Sequence, residues 1–148
     1  MLTPTLNTDK KSETMAPRIQ LAVSAIVQRD DKILLAQRGN PPDLARWAFP
    51  GGRVEPGETT RNAVLRELAE ETGLAGQVEA VFDVYDFVAP ASDTSLPHHF
   101  TLIVYHVSVT SFDAMAAASD AAALGWFTRQ QALQLSMPDS MVDAIKRL

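Results

Sequence analysis

The stretch from Gly52 to Leu74, GGRVEPGETTRNAVLRELAEETGL when read from Gly51, constrains this chain more than any other. It gathers Glu55, Glu58, Glu67, Glu70 and Glu71 against only Arg53, Arg61 and Arg66. Its second half reads as a helix from about Thr60 to Thr72: no Pro or Gly interrupts it, Thr59 or Thr60 can cap its start, and Gly73 stands where a left-handed C-cap belongs. Each helical residue turns about 100° around the axis, so Glu67, Glu70 and Glu71 share one arc, with Leu65, Leu68, Ala69 and Thr72 on the other side. Carboxylates three and four apart destabilise an isolated helix by a few tenths of a kcal/mol per pair, and Arg66 offsets only part of that by pairing with Glu70.

A hard divalent cation is the natural compensator. Mg²⁺ prefers oxygen ligands and shares itself between protein carboxylates and substrate phosphates. Glu58 adds a further carboxylate just before the helix, and at Gly51 and Gly52 no Cβ keeps main-chain carbonyls from the same ion. The alternative for any Glu-rich helix is a solvated acidic face, which has no need of flanking glycines or of Glu58.

The rest of the chain limits what surrounds this helix. Its 148 residues make one domain, and 46% hydrophobic with 21% charged residues is the balance of a folded globular protein. A net charge of -5 argues against a partner that is a nucleic-acid polymer, because such affinity comes from Lys and Arg neutralising phosphates. With no cysteine, thiolate metal sites and disulfides are excluded. No apolar run is long enough for a signal peptide or a membrane span, so the chain reads as soluble, cytoplasmic and without a membrane partner.

Residues 1–17 are polar and aperiodic and read as a flexible tail before a domain spanning 18–148. IQLAVSAIVQR and KILLAQR, with Asp30 and Asp31 between them, read as a hairpin, and WAF as a short strand after the loop GNPPDLAR. QVEAVFDVYDFV and HHFTLIVYHVSV read as strands joined by the polar loop APASDTSLP. SFDAMAAASDAA is open between loop and weak helix, ALGWF is a strand, TRQQALQL a short helix capped by Thr128, and Ser136 with Pro138 starts a last helix. Strands interleaved with helices indicate an α/β sandwich around a mixed β-sheet.

Gly52, Glu58, Arg66-Glu67-Leu68, Glu70-Glu71 and Gly73-Leu74, at their spacings, match every position of the signature of the Nudix hydrolases, and the chain resembles that family. WAFPGG, the early hairpin and LGWFTRQQAL are similar to it as well. The resemblance implies the Nudix-type α/β/α sandwich and Mg²⁺-dependent hydrolysis of a nucleoside diphosphate linked to another group, with Mn²⁺ an alternative ion. It implies Glu67 and Glu71 as direct metal ligands, Glu70 and Glu58 completing the site, the Gly52 carbonyl as a further ligand, and Arg66 orienting the glutamates. Glu67 and Glu70 are candidates for the base that takes the proton of water, and a loop residue outside the signature is a third option. Arg38 and Arg53 lie where family members contact substrate phosphates, and Trp47 is placed either to stack on a base or to pack under its loop. Tyr85, Phe87, His98 and His99 border the loop after Val88.

RGNPPD, HHFTLIVYHV and DAAALGWF, with Pro90 beyond the signature, resemble an ADP-ribose pyrophosphatase-like subgroup. This implies a small-molecule nucleotide substrate, ADP-ribose giving AMP and ribose 5-phosphate, and a homodimer. The alternatives are pyrophosphate release from nucleoside triphosphates, as in nucleotide-pool cleansing, and a non-catalytic nucleotide sensor. A sensor goes with loss of signature glutamates, and none is lost here.

Overall fold

The computed structural model describes residues 18–39, 45–89, 98–115 and 121–148. The tail 1–17, most of the loop 89–97 with Pro90, and parts of the stretches 39–46 and 111–122 lie outside the described residues, as does the side chain of His98.

The strands are β1 (Ile19–Ile26), β2 (Gln28–Arg29), β3 (Lys32–Arg38), β4 (Trp47–Ala48), β5 (Gly51–Arg53), β6 (Gly76–Ala89), β7 (His98–Val109) and β8 (Ala121–Thr128). The helices are α1 (Thr60–Thr72), α2 (Arg129–Ala132) and α3 (Asp139–Lys146). One sheet runs β5-β1-β7-β6, and it is mixed because β1 and β7 are parallel while both outer pairs are antiparallel. The second sheet is built on β3, with β8 antiparallel along its length and β2 and β4 pairing with its two ends. The fold is the α/β arrangement expected, a mixed sheet with helices on it.

The period-2 alternation of strand side chains separates two cores. Val23 and Ala25 of β1, with Tyr105 and Val107 of β7, meet Val64 and Leu68 of α1. Ile26 and Val104 belong to the other core, with Leu35, Phe49, Met141 and Ile145. The mixed sheet therefore carries α1 on one face and α3 on the other.

The first apolar run does not form the hairpin expected of it. It is divided at Val27: β1 belongs to the mixed sheet, and only Gln28–Arg29 turn back on Lys32–Ile33 through Asp30, whose φ of 56° suits a tight turn. The helix expected over TRQQALQL is also shorter. Thr128 and Gln131 form a reciprocal capping box, but after Ala132 the amide N–H groups of Gln134 and Leu135 bond three residues back, which tightens the turn and ends α2. Pro138 is the residue before the last helix, and its carbonyl accepts from the N–H groups of Met141 and Val142.

Candidate active site on the acidic helix

α1 occupies the residues expected, because both ends are fixed locally. The Thr59 hydroxyl accepts from the Asn62 N–H at 3.1 Å, and Gly73, at φ 78°, returns its N–H to the Ala69 carbonyl at 2.9 Å. A third anchor comes from far along the chain: the hydroxyls of Thr60 and Tyr105 are 2.7 Å apart, with Tyr105 buried and the Arg61 guanidinium over its ring.

The helix does not divide into opposed core and carboxylate faces. Its buried residues are Ala63, Val64, Leu68 and Thr72, while Ala69 is exposed. At 100° per residue, Glu67 and Glu71 fall inside the arc these four define, so both carboxylates point inward, toward β5. Glycine makes this bearable. A methyl group on Gly52 would stand 2.5 Å from the Glu67 carboxylate, and the Gly51 N–H donates to Glu71 Oε2 at 3.2 Å. Gly51 has its own constraint, since a methyl group there would sit 2.1 Å from the Val23 carbonyl oxygen.

Arg66 occupies the middle of the remaining carboxylates. Its Nε and Nη2 donate to the two oxygens of Glu58 at 2.7 and 2.9 Å, and Nη1 reaches Glu67 at 3.0 Å and Glu70 at 3.2 Å. Nη2 also donates to the Arg53 carbonyl at 3.0 Å, which fixes the end of β5 to the helix. The paired hydrogen bonds from Arg66, helped by the Glu55 N–H, hold the Glu58 carboxyl far down, at about 2. The same pairing raises the proton affinity of Arg66. Glu67 goes the other way: burial raises its carboxyl, and Arg66 only partly opposes this. The Glu67 side chain is 15% exposed and that of Glu70 58%, so the two differ in access to water.

Glu58, Arg66, Glu67, Glu70, Glu71, Gly52 and the Arg53 main chain thus come together. Arg38 is exposed at the end of β3, and Trp47, on β4, packs edge-on against Phe127 with ring centres 5.0 Å apart; both belong to the second sheet. Tyr85 donates to Asp143 at 2.7 Å, where it ties β6 to α3. Sequence reasoning passed over Tyr105, because its bond to Thr60 spans 45 residues and leaves no local pattern.

Among the described residues, no three acidic or histidine side chains converge as a ready-made cage for an ion. The donors nevertheless fit a hard divalent cation. They are carboxylate and main-chain oxygens throughout, and the space beside Gly52 is kept free of a Cβ that would displace the Glu67 carboxylate.

Comparison with known proteins gives the same direction. Residues 18–148 match the NUDIX domain. The ADP-ribose pyrophosphatase of Methanocaldococcus jannaschii is 49% identical over 65 residues, which are 44% of this chain and 38% of that protein. The CTP pyrophosphohydrolase of Escherichia coli is 39% identical over 113 residues, 76% of this chain and 78% of that one. The chain thus spans well under half of the archaeal relative and about three quarters of the bacterial one. The crystal structure of a MutT NUDIX hydrolase from Burkholderia pseudomallei superimposes with a TM-score of 0.76 at 26% identity, covering 88% of this chain and 98% of the other. A match across the whole described domain, joined to a site built from the signature residues, leads to one assignment: the chain belongs to the Nudix hydrolase family.

Proposed function

We propose that this chain is a divalent-cation-dependent pyrophosphohydrolase acting on a nucleoside diphosphate derivative, and that it hydrolyses ADP-ribose to AMP and ribose 5-phosphate. The observation that carries the reaction class is the lodging of Glu67 and Glu71 against the two glycines of β5, while Arg66 gathers Glu58, Glu67 and Glu70.

Glu67 and Glu71 would hold the ion directly, with Glu58, Glu70 and the Gly52 carbonyl completing its surroundings. Bound there, Mg²⁺ or Mn²⁺ supplies positive charge between acidic protein and anionic substrate and polarises phosphoryl oxygens. Arg66 keeps Glu58 ionised and fixes the bearing of Glu67 and Glu70, so the carboxylates are oriented before substrate arrives. Arg53, at the end of β5, presents a cation to substrate phosphate, as does Arg38, while Trp47 packs against Phe127 under its loop. The proton released by the attacking water passes to Glu67 or to the solvent-facing Glu70. The atoms balance as one water added across one phosphoanhydride, giving two phosphate monoesters.

ADP-ribose is supported by the name of the 49% identical relative. A second reading, release of pyrophosphate from nucleoside triphosphates, is supported by the greater length of the alignment with the CTP enzyme. Incubation with Mg²⁺ and a panel of ADP-ribose, NADH, dinucleoside polyphosphates and nucleoside triphosphates, with product identification, separates them. AMP and ribose 5-phosphate are expected; pyrophosphate release with ADP-ribose untouched would overturn the substrate. Glu67→Gln and Glu71→Gln should each lower turnover by roughly 10²-fold with an unchanged circular dichroism spectrum, and near-normal turnover in either would contradict its role.

A further inference from the structure

Tyr105 of β7 is buried in the core beneath α1, and its hydroxyl pairs with that of Thr60 at 2.7 Å. A buried phenol needs a hydrogen-bond partner, and here the partner is the first residue of the acidic helix.

Where Thr60 stands on the helix decides what this bond can do. At 100° per residue, Thr60, Val64, Glu67 and Glu71 lie within an arc of about 60° and form one stripe along α1. The stripe begins at Thr60, bonded to the sheet, and passes through the fully buried Val64. About 10 and 16 Å further along the axis it reaches Glu67 and Glu71, which lie against Gly52 and Gly51. A bond at one end of a stiff rod thus bears on the rotation at which the other end presents its carboxylates. The apolar contacts of Ala63, Val64 and Leu68 hold the helix down, but apolar burial has no direction, whereas a hydroxyl pair has a preferred length and angle.

The opposite wall of the site refers to the same rung of the sheet. Tyr105 pairs with Ala25 of β1, and the Ala25 N–H donates to the Pro50 carbonyl at 2.8 Å, immediately before the two glycines. One rung therefore holds both the strand that carries the glycines and the helix that carries the carboxylates.

We infer that Tyr105 is a positioning residue of the site: through Thr60 it sets the rotation of α1 at which Glu67 and Glu71 meet the glycines of β5. The inference rests on the proposed role of those two glutamates in holding the ion, and it adds to them a residue far outside the signature.

The Gly51 N–H, which donates to Glu71, reports that rotation by nuclear magnetic resonance in the full chain with neither metal nor substrate. Tyr105→Phe and Thr60→Val each remove one hydroxyl. Each should move the Gly51 amide proton upfield and weaken Mn²⁺ about fivefold in titration followed by electron paramagnetic resonance, the scale of one neutral hydrogen bond. Thr60→Ser keeps the hydroxyl and should do neither, and the double variant should lose no more than either single one. Met141→Ala opens the other core and should lower the melting temperature while leaving the Gly51 amide in place. A Gly51 amide unmoved in both Tyr105→Phe and Thr60→Val overturns the inference, as does a moved amide with unchanged Mn²⁺ affinity. An equal movement in Met141→Ala overturns it too, because the shift would then follow stability alone. Failure of the hydrolysis is read separately, from the product panel: variants that behave as expected in a chain that cleaves nothing would keep Tyr105 in this role and lose the proposed activity.

Discussion

Gly51 and Gly52 are neighbours on one short strand, yet a Cβ would do different things at each. At Gly52 it would meet only the end of a side chain, the Glu67 carboxylate, which can swing aside. At Gly51 it would meet the Val23 carbonyl and the Ser24 Cα, which are main chain in the middle of the mixed sheet. Gly52→Ala should therefore fold with nearly the stability of wild type and lose most of its turnover, because the displaced carboxylate is the one proposed to hold the ion. Gly51→Ala should lose about 1–3 kcal/mol of stability in urea denaturation, the usual cost of forcing atoms into a filled space. Reversed outcomes, with a stable active Gly52→Ala or a fully stable Gly51→Ala, would contradict this division of labour.

At the scale of elements, the acidic helix is the piece whose limits are set locally, by the Thr59 hydroxyl at one end and Gly73 at the other. An alanine at Gly73 would have to adopt φ near 78°, so Gly73→Ala should cost about 1–2 kcal/mol in urea denaturation, and a cost near zero would show that the cap does not matter. These end signals are why α1 was legible residue by residue. The first strands were less legible, because IQLAVSAIVQR is β-branched throughout and nothing in it marks Val27 as the point where the chain leaves one sheet for another; the pairings that decide this come from β7 and β3. The inward bearing of Glu67 and Glu71 was hidden for a related reason. Which arc of a helix faces the core depends on what lies opposite, and here two glycines leave room for carboxylates that the helix alone would place toward water. The signature residues were readable because they are adjacent on one helix and its approach, whereas Tyr105 matters only through a contact made by folding.

Across the whole molecule, the mixed sheet is held between α1 and α3, and α3 is tied down by charge at its end. Arg147 donates to Asp83 at 2.6 Å and Asp143 at 3.3 Å and lies 4.5 Å from the centre of the Phe82 ring. Asp83 is held below its ordinary value of 3.8 chiefly by Arg147, and Asp143 is held down first by the Tyr85 hydroxyl and then by Arg147. A carboxyl lowered by folding stabilises at any pH above its unfolded value, and that stabilisation disappears as pH falls through the lowered folded value. Arg147→Met should therefore have a lower urea midpoint than wild type from pH 5 to 7 by a constant margin, and the margin should close as pH falls below 3.8; a margin that grows in acid would contradict the assignment. The sandwich matters to function because it presses α1 onto β5, and only there do the inward carboxylates meet glycine. Titration of the metal-free chain with Mn²⁺, followed by the loss of its free-ion electron paramagnetic resonance signal, tests that arrangement most directly. Saturable binding that Glu67→Gln and Glu71→Gln each abolish, with circular dichroism unchanged, is the predicted result; absence of saturable binding even with ADP-ribose present, or binding untouched by both substitutions, would contradict it.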